Sequence, residues 1–461
     1  MRSDTTSIGG AMDSGPVPSS YERGHESRLA SIRDLPLLND AFSTVNQLGS
    51  RNTSSAQATT AAPAEPAPAQ PPAPTASTPA ATARSQSAPS TQSFWLHLNS
   101  TPVPDGQLEA EARRHAYIVL NAWESSMIAK IKAASPGVQV FVYKDLSSTR
   151  SYACSNGTDD AQLPTGVGYC DTERKHPEWF LTTATGQRLQ YSGYSGHWQM
   201  DVGNTGYQNA WIANVISSTT AAGFDGVLLD NALFSCDSYH DGVCPARYPD
   251  DSSFQNAYTT MLANVGSRLS AAGLTTVANL SNARLFTGAW TTYMEHLDGG
   301  FDEWWLAFSD TNLLPEYDQG WSRQLKEVSA NEARGKITWV QPHLTGGVPR
   351  PFRYALASYL MVSGPRSAFA PIAETDGYGD PSPDRAEYGW TLGSPRAAYR
   401  PVGNNLFRRD FECGAVLVNS NPTGAAATTI PLGDAYTDES GRSVSSVSLP
   451  GTSGAVLRRN C

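Results

Sequence analysis

From Ser93 onward, short runs rich in β-branched and aromatic residues alternate with longer segments whose apolar positions recur every three or four residues. In order, the strand candidates are SFWLHLN, HAYIVLNAW, VQVFVYKDL, GVLLDN, TTVANLSN, LDGGFDEWW, KITWVQPH and RSAFAP. Between them, YQNAWIANVISSTTAAG and FQNAYTTMLANVGSRLSAAG carry the helical spacing and each closes on Gly, a helix stop. Alternating βα units predict a parallel sheet. Eight such strands with intervening helices predict an α/β fold, a (β/α)8 TIM barrel, over residues 93–394. From about residue 395 helical spacing stops, as in NNLFRRDFECGAVLVNS and SVSSVSLPGTSGAVLRRN, which predicts a small antiparallel, β-sandwich-like domain over 395–461.

Ahead of the barrel, residues 54–92 are dominated by Ala, Pro, Thr, Ser and Gln. Such a stretch buries too little apolar surface to offset its ordering entropy and reads as an extended linker. Residues 1–53 are polar and mixed, and only LPLLNDAF has the spacing of a short amphipathic helix. They read as a disordered tail, with a surface-attachment segment as the alternative.

Charge and cysteine narrow the function. With 33 basic and 43 acidic residues the net charge is -10, and no Lys/Arg cluster stands out, which argues against a nucleic-acid partner. All six cysteines follow the Pro-rich stretch, and no C-x-x-C occurs, so zinc and thioredoxin-like chemistry are set aside. The spacing pairs Cys154 with Cys170 and Cys236 with Cys244, and leaves Cys413 for Cys461; disulfides imply an oxidising, extracellular or cell-surface setting. Against that, residues 1–50 lack a charged n-region followed by an apolar run of signal-peptide length, so export by another route or an incomplete start is expected. Nothing in the sequence has the apolar length to insert in a membrane. A monomer is expected.

The chemistry concentrates at strand ends. In GFDGVLLDN a helix stops at Gly223 and about five residues of strand follow, which brings Asp230 to the C-terminal rim where barrel active sites are built. Alternation puts Asp230 on the face of Leu228, so if Leu228 fills the barrel the carboxylate points into its mouth. The plainer alternative is that Asp230 caps the next loop. Asp225 falls at the strand's start and reads as a structural turn residue.

A carboxylate at a barrel mouth can act with a second carboxyl group, one giving a proton and the other attacking or activating water, the pairing that cleavage of a glycosidic bond requires. Glu303, at the end of strand six in LDGGFDEWW, is the first candidate, because alternate strands contribute to one barrel layer and strands four and six can therefore share one. Trp304 and Trp305 beside it can stack on sugar and desolvate the acid, raising its pKa toward the value of about 6 that suits a general acid. Both tryptophans can equally be core. Glu295 is the rival acid, although it precedes strand six. Lys144, Asp145, Asn279, Asn282, Gln341 and His343 also fall where strands end, and Asp201 follows the long insertion before strand four; all are candidates for contacts to sugar hydroxyls, or for loop caps. His97 reads as a satisfied core histidine or a ligand contact.

Other chemistries find less support. The acidic loop from Glu374 to Asp380 lacks the spaced ligand set of a calcium site, so no metal is expected, and no cofactor. Neither G-x-S-x-G nor G-x-x-x-x-G-K-[ST] is present.

With GFDGVLLDN, FDEWW and a strand-rich tail, the chain resembles the barrel glycosidases of hypothetical glycosyl hydrolase family 15, and is more distantly similar to family 114 endo-α-1,4-polygalactosaminidases. The resemblance covers roughly residues 93–370 and the β tail. It implies a (β/α)8 barrel with a carboxylate at the end of strand four, matched by Asp230, and an acidic partner on a later strand, matched by Glu303. The strand-four and strand-six pattern is also similar to retaining α-galactosidase-type barrels, which would make Asp230 the nucleophile. The leading expectation is therefore hydrolysis of an α-linked polysaccharide or cell-surface glycan. The alternatives are a glycan-binding barrel without activity and an interaction scaffold, since fold alone does not set function.

Overall fold

The computed structural model describes residues 90–345, 348–373 and 378–460. The tail and linker predicted before residue 90, Cys461, and residues 374–377 of the acidic loop lie outside the described residues.

Eight parallel strands form one sheet in chain order: β1 (Phe94–His97), β2 (Tyr117–Leu120), β3 (Gln139–Asp145), β4 (Gly226–Asp230), β5 (Thr275–Asn279), β6 (Gly299–Asp302), β7 (Ile337–Val340) and β8 (Ser367–Phe369). The ring closes where the Phe369 N–H donates to the Gln92 carbonyl at 2.9 Å. The chain is thus a TIM barrel, with helices α1 (Asp105–Arg114), α2 (Ile128–Ala134), α4 (Thr205–Ala222), α5 (Asp251–Ala271), α6 (Ala289–Met294), α7 (Trp321–Ala333) and α8 (Pro349–Val362) on the crossovers. A further short helix, α3 (Tyr169–Lys175), belongs to the long insertion between β3 and α4. Among the described residues no α-helix follows β8; the chain passes instead to the β domain.

Local chemistry explains the elements that carry the site. The Asn204 side chain caps α4 by accepting from the N–H groups of Gly206 and Tyr207, and Gly223 ends it at φ 81, a left-handed turn open to glycine. Asp225 then accepts from Lys132 Nζ at 2.5 Å and from the Val140 N–H at 2.7 Å, which pins the start of β4 against β3. Along β4, Val227 and Leu229 pack outward under the helices, and Leu228 packs inward with Phe94, Phe141, Phe301 and Trp339. Trp339 is the hub of this interior, stacked on Phe94 at 5.4 Å and edge-on to Phe141 at 5.0 Å. A side chain at Gly226 would meet the Phe141 ring at 2.6 Å, so glycine here lets the site-bearing strand pass the aromatic layer.

Two predicted strands end sooner than read. The Asn121 carbonyl accepts from the Glu124 N–H at 3.1 Å, and the Asn121 N–H donates to Glu124 Oε2 at 2.9 Å, which opens a 3-10 turn (Ala122–Met127) and ends the second strand. The sixth stops at Asp302, because the Trp304 N–H turns back to Asp302 Oδ1 at 3.3 Å, and Glu303 is the first residue beyond it.

The C-terminal region is an antiparallel sheet of β9 (Arg400–Gly403), β10 (Leu406–Phe411), β11 (Gly414–Asn419), β12 (Thr428–Thr437), β13 (Ser443–Leu449) and β14 (Ser453–Arg458), in the order β9-β10-β11-β14-β12-β13. Hydrogen bonding links all six strands, but β12 meets β14 only through the pair Thr437 and Arg458. One face of the sheet covers the barrel, and on the other Leu406, Ala415, Leu417, Ala455 and Leu457 pack with Ile430, Leu432, Tyr436 and Leu449 of β12 and β13 in a core of the β domain's own. Phe411, Val416, Val418 and Val456 share a core with Phe352, Tyr359 and Trp321 of α8 and α7. Gly454 permits the close approach, since a side chain there would meet Ala357 Cβ at 2.5 Å. Two disulfides, Cys154–Cys170 and Cys236–Cys244, close loops on the insertion and after β4. No helix among the described residues is long and apolar enough to cross a membrane.

Candidate active site

Inward alternation on four strands converges at the C-terminal mouth. Tyr143 on β3, Asp230 on β4, Asn279 on β5 and Glu303 just past β6 each follow, two residues on, an inward-packed Phe141, Leu228, Val277 or Phe301. The Asn279 amide bridges the two acids: its Nδ2 donates to Asp230 Oδ1 at 3.0 Å and to Glu303 Oε2 at 2.6 Å. The nearest carboxyl oxygens of Asp230 and Glu303 therefore lie no farther apart than those two bonds laid end to end.

The amide cannot turn over. Its Oδ1 accepts from Ser281 Oγ at 2.8 Å, and that Ser281 oxygen in turn accepts from the Glu303 N–H at 3.1 Å, so the NH2 end must face the acids. Tyr143 donates its hydroxyl to Asp230 Oδ2 at 2.6 Å, and Tyr378 donates to Glu303 Oε1. His343 Nε2 donates to the Glu303 carbonyl at 2.8 Å while its ring stacks on Trp304 with centroids 3.5 Å apart, which fixes the backbone that carries the acid.

Both carboxyls are partly exposed at the mouth yet enclosed by protein, and both hold their protons more tightly than usual. For Asp230 the causes are burial and then the charge of Asp145, opposed by the bonds from Tyr143 and Asn279. For Glu303 burial and then the charge of Asp230 push the pKa up to about 7. Tyr194, raised to about 12 by burial and then by the charges of Glu303 and Asp230, and Tyr239, whose hydroxyl donates to Asn231 Oδ1 at 3.2 Å, complete an aromatic rim.

Other residues singled out from the sequence lie elsewhere. Asp145 is fully buried at the rim, and its carboxylate is taken by Ser147, Ser148, Asn231 and Arg150, the last at 2.7 Å. It shapes the rim through the turn after β3 rather than presenting a free oxygen. Lys144 points to the opposite face of β3 and donates to the Leu163 carbonyl; burial lowers its pKa to about 8. Asp201 is buried against Tyr248, the Gly203 N–H and Arg247. Asn282 holds a left-handed turn at φ 67 ahead of a 3-10 turn (Ala283–Leu285). Trp305 is core, wholly enclosed under α7. His97 is satisfied by Glu124 at 3.0 Å and the Gly379 carbonyl at 3.1 Å. Glu295 sits exposed at the end of α6, before β6, at the far end of the barrel from Glu303.

Gln341 differs from these. It is buried on the inward register of β7, two residues past Trp339, and neither its amide nitrogen nor its amide oxygen has a hydrogen-bond partner. Buried amides are nearly always paired, which sets this one apart from the other candidates. Of the tyrosines, Tyr143 was open to the alternation argument that found Asp230. Tyr378, Tyr194 and Tyr239 come from loops that carry no periodic signal.

A metal site is not evident among the described residues: the one clustered group, Cys154, Asp159 and Cys170, has both sulfurs in a disulfide, and Asp159 caps α3 through the Cys170 and Asp171 N–H groups. The arrangement brings two carboxyls, bridged by one amide, together with Tyr143, Tyr378 and Trp304 at the mouth of the barrel.

A family model described as hypothetical glycosyl hydrolase family 15 matches residues 132–415. Among solved structures, the glycoside hydrolase domain of PelA from Pseudomonas aeruginosa is 15% identical, over 64% of this chain and 97% of that one, with a TM-score of 0.41. The Aspergillus fumigatus Ega3 complex with galactosamine is 12% identical over 65% of this chain and 98% of that one, TM-score 0.39, and an α-amylase from Malbranchea cinnamomea is 8% identical over 80% and 96%, TM-score 0.45. At these values the structural likenesses carry no part of the argument for site or substrate. No curated protein matches the chain.

Proposed function

The chain belongs to hypothetical glycosyl hydrolase family 15, and from that premise we propose that it is a retaining glycoside hydrolase in which Asp230 is the nucleophile and Glu303 the general acid and base. The observation that carries the reading is the Asn279 amide held between the two carboxyls. One nitrogen bonded to both acids keeps their nearest oxygens close, which favours the separation of about 5 to 5.5 Å of retaining enzymes over the roughly 6.5 to 9.5 Å that admits a water in inverting ones.

In this mechanism Glu303, protonated near neutral pH, gives its proton to the glycosidic oxygen as that bond breaks. Asp230, ionised, forms the new bond to the anomeric carbon. Glu303, now a carboxylate, takes a proton from water, whose oxygen displaces Asp230 and restores both groups. Tyr143 and Asn279 orient the nucleophile, Tyr378 the acid; Trp304, Tyr194 and Tyr239 offer flat faces to sugar rings, and the Gln341 amide pairs with a sugar hydroxyl.

The α-linkage rests on the resemblance of GFDGVLLDN to α-polygalactosaminidases. The two disulfides support an extracellular or cell-surface setting. Residues 93–394 are assigned as the catalytic unit and 395–461 as its accessory.

The test is a reducing-end assay on purified bacterial and fungal glycans, followed by proton NMR of the first anomer released. A net retained anomer is expected, and Glu303→Gln should lower kcat/KM by about 10²- to 10⁴-fold on substrates with poor leaving groups. An inverted product, or full turnover by Asp230→Asn, would remove the proposed roles. Saturable glycan binding with no new reducing ends would favour a binding barrel.

A further inference from the structure

The β domain carries a second feature that the barrel chemistry does not use. A depression of about 300 Å³ is lined by four guanidinium groups, those of Arg396, Arg400, Arg408 and Arg459, against two carboxylates, Asp410 and Asp434, with Tyr436 at its side. On a chain of net charge -10, this is a local excess of positive charge.

The strand register builds it. Arg400 on β9 lies directly opposite Arg408 on β10, a like-charge cross-strand pair that is unfavourable on its own. Along β10, Phe407 stacks on Trp321 and Arg409 donates to carbonyls of Leu360 and Ser363, so those side chains face the barrel, and Arg408 and Asp410 face away from it. Arg408 is a fixed wall: its guanidinium is spent on Asp410 at 2.7 Å, the Leu432 carbonyl and the Tyr436 hydroxyl.

The other three retain donors. Arg396 uses only Nε, on the Phe411 carbonyl at 3.1 Å. Arg400 makes a single 3.4 Å bond to Asp410, and is mostly exposed. Arg459 bonds the Glu412 carbonyl through Nε and Nη2, and its Nη1 reaches Asp434 only at 3.7 Å. Asp410 is thus shared, closely by Arg408 and at longer range by Arg400, while Arg396, lining the same depression, forms no ion pair among the described residues.

We propose that this depression binds a carboxylate carried on a saccharide, so that the β domain holds acidic glycan while the barrel cuts it. Planar guanidinium forks match a carboxylate in a two-bond geometry, and the volume suits one or two sugar units rather than a protein segment. That an oxyanion binds rests on the β domain alone; that it belongs to a glycan rests on the reading of the barrel as a glycoside hydrolase.

The test uses the full chain with Asp230→Asn, so that the probe is not consumed, and isothermal titration with a galacturonate hexamer. Its fully methyl-esterified counterpart, inorganic phosphate and a short single-stranded DNA serve as the comparison arms. The acidic hexamer is expected to bind about tenfold or more tightly than the ester, to lose that margin in Arg396→Ala/Arg400→Ala, and to weaken as salt is raised. Arg400→Glu should abolish the margin outright. Equal binding of hexamer and ester, no binding of either, or an unchanged margin in the arginine variants overturns the proposal. Phosphate or DNA binding as tight as the hexamer overturns its glycan part. Because binding is read without turnover, failure here leaves the roles of Asp230 and Glu303 untouched, and their failure leaves this site standing.

Discussion

At the scale of single residues, the Asn279 amide decides how the acid pair behaves. It donates to both carboxyls and so holds both pKa values below where burial alone would put them. In the wild-type chain activity should fall above about pH 7 as Glu303 loses its proton, and fall on the acid side as Asp230 gains one, beginning above the usual aspartate range. Asn279→Ala removes a donor that favours the charged form of each group, so both limbs of a kcat/KM against pH profile should move to higher pH; a profile displaced downward contradicts the assignment. Gln341 poses the opposite case, an amide with no partner in the folded chain. Leaving such a group unsatisfied costs about 1 to 3 kcal/mol. Gln341→Leu is therefore expected to raise the thermal midpoint while lowering kcat/KM, and a variant that loses stability and keeps full activity would show that the amide is structural.

At the scale of elements, the strand that carries Asp230 works because its first residue is a glycine. Gly226→Ala would force a methyl group onto the Phe141 ring and the Thr275 carbonyl, and overpacking of this kind costs about 1 to 3 kcal/mol, to be read as a lowered urea midpoint with an unchanged slope. The strands themselves were legible in the sequence, since period-two alternation and glycine stops are local signals, and the eight segments named there are the eight barrel strands. What escaped was decided over distance. Asp145 has the alternation of a mouth residue, yet Arg150 and Ser148, brought round by the turn after β3, consume its oxygens. Tyr378 meets Glu303 across 75 residues from a loop with no pattern. Glu303 itself falls one residue beyond its strand, because an aspartate turn invisible to hydropathy ends β6 early.

At the scale of the whole molecule, barrel and β domain share one core rather than touching at a hinge. Trp321 of α7, fully buried, stacks on Phe407 of β10 at 4.6 Å, and α8 lies under β11 and β14. A single cooperative unfolding transition is expected by calorimetry, with Trp321→Ala lowering stability by about 3 to 5 kcal/mol for both parts together; two separate transitions would show that the parts fold independently. The barrel's closure has a further consequence. Neighbouring strands elsewhere are zipped by runs of paired residues, but β1 and β8 meet through the bond from Phe369 to Gln92, and two residues upstream Ser90 is tied to Trp390 and Leu392. Ser90, the first described residue, therefore sits at the seam of the barrel. A pull applied to the chain at Ser90 would load those few bonds first, ahead of the paired strands that carry Asp230 and lead to Glu303.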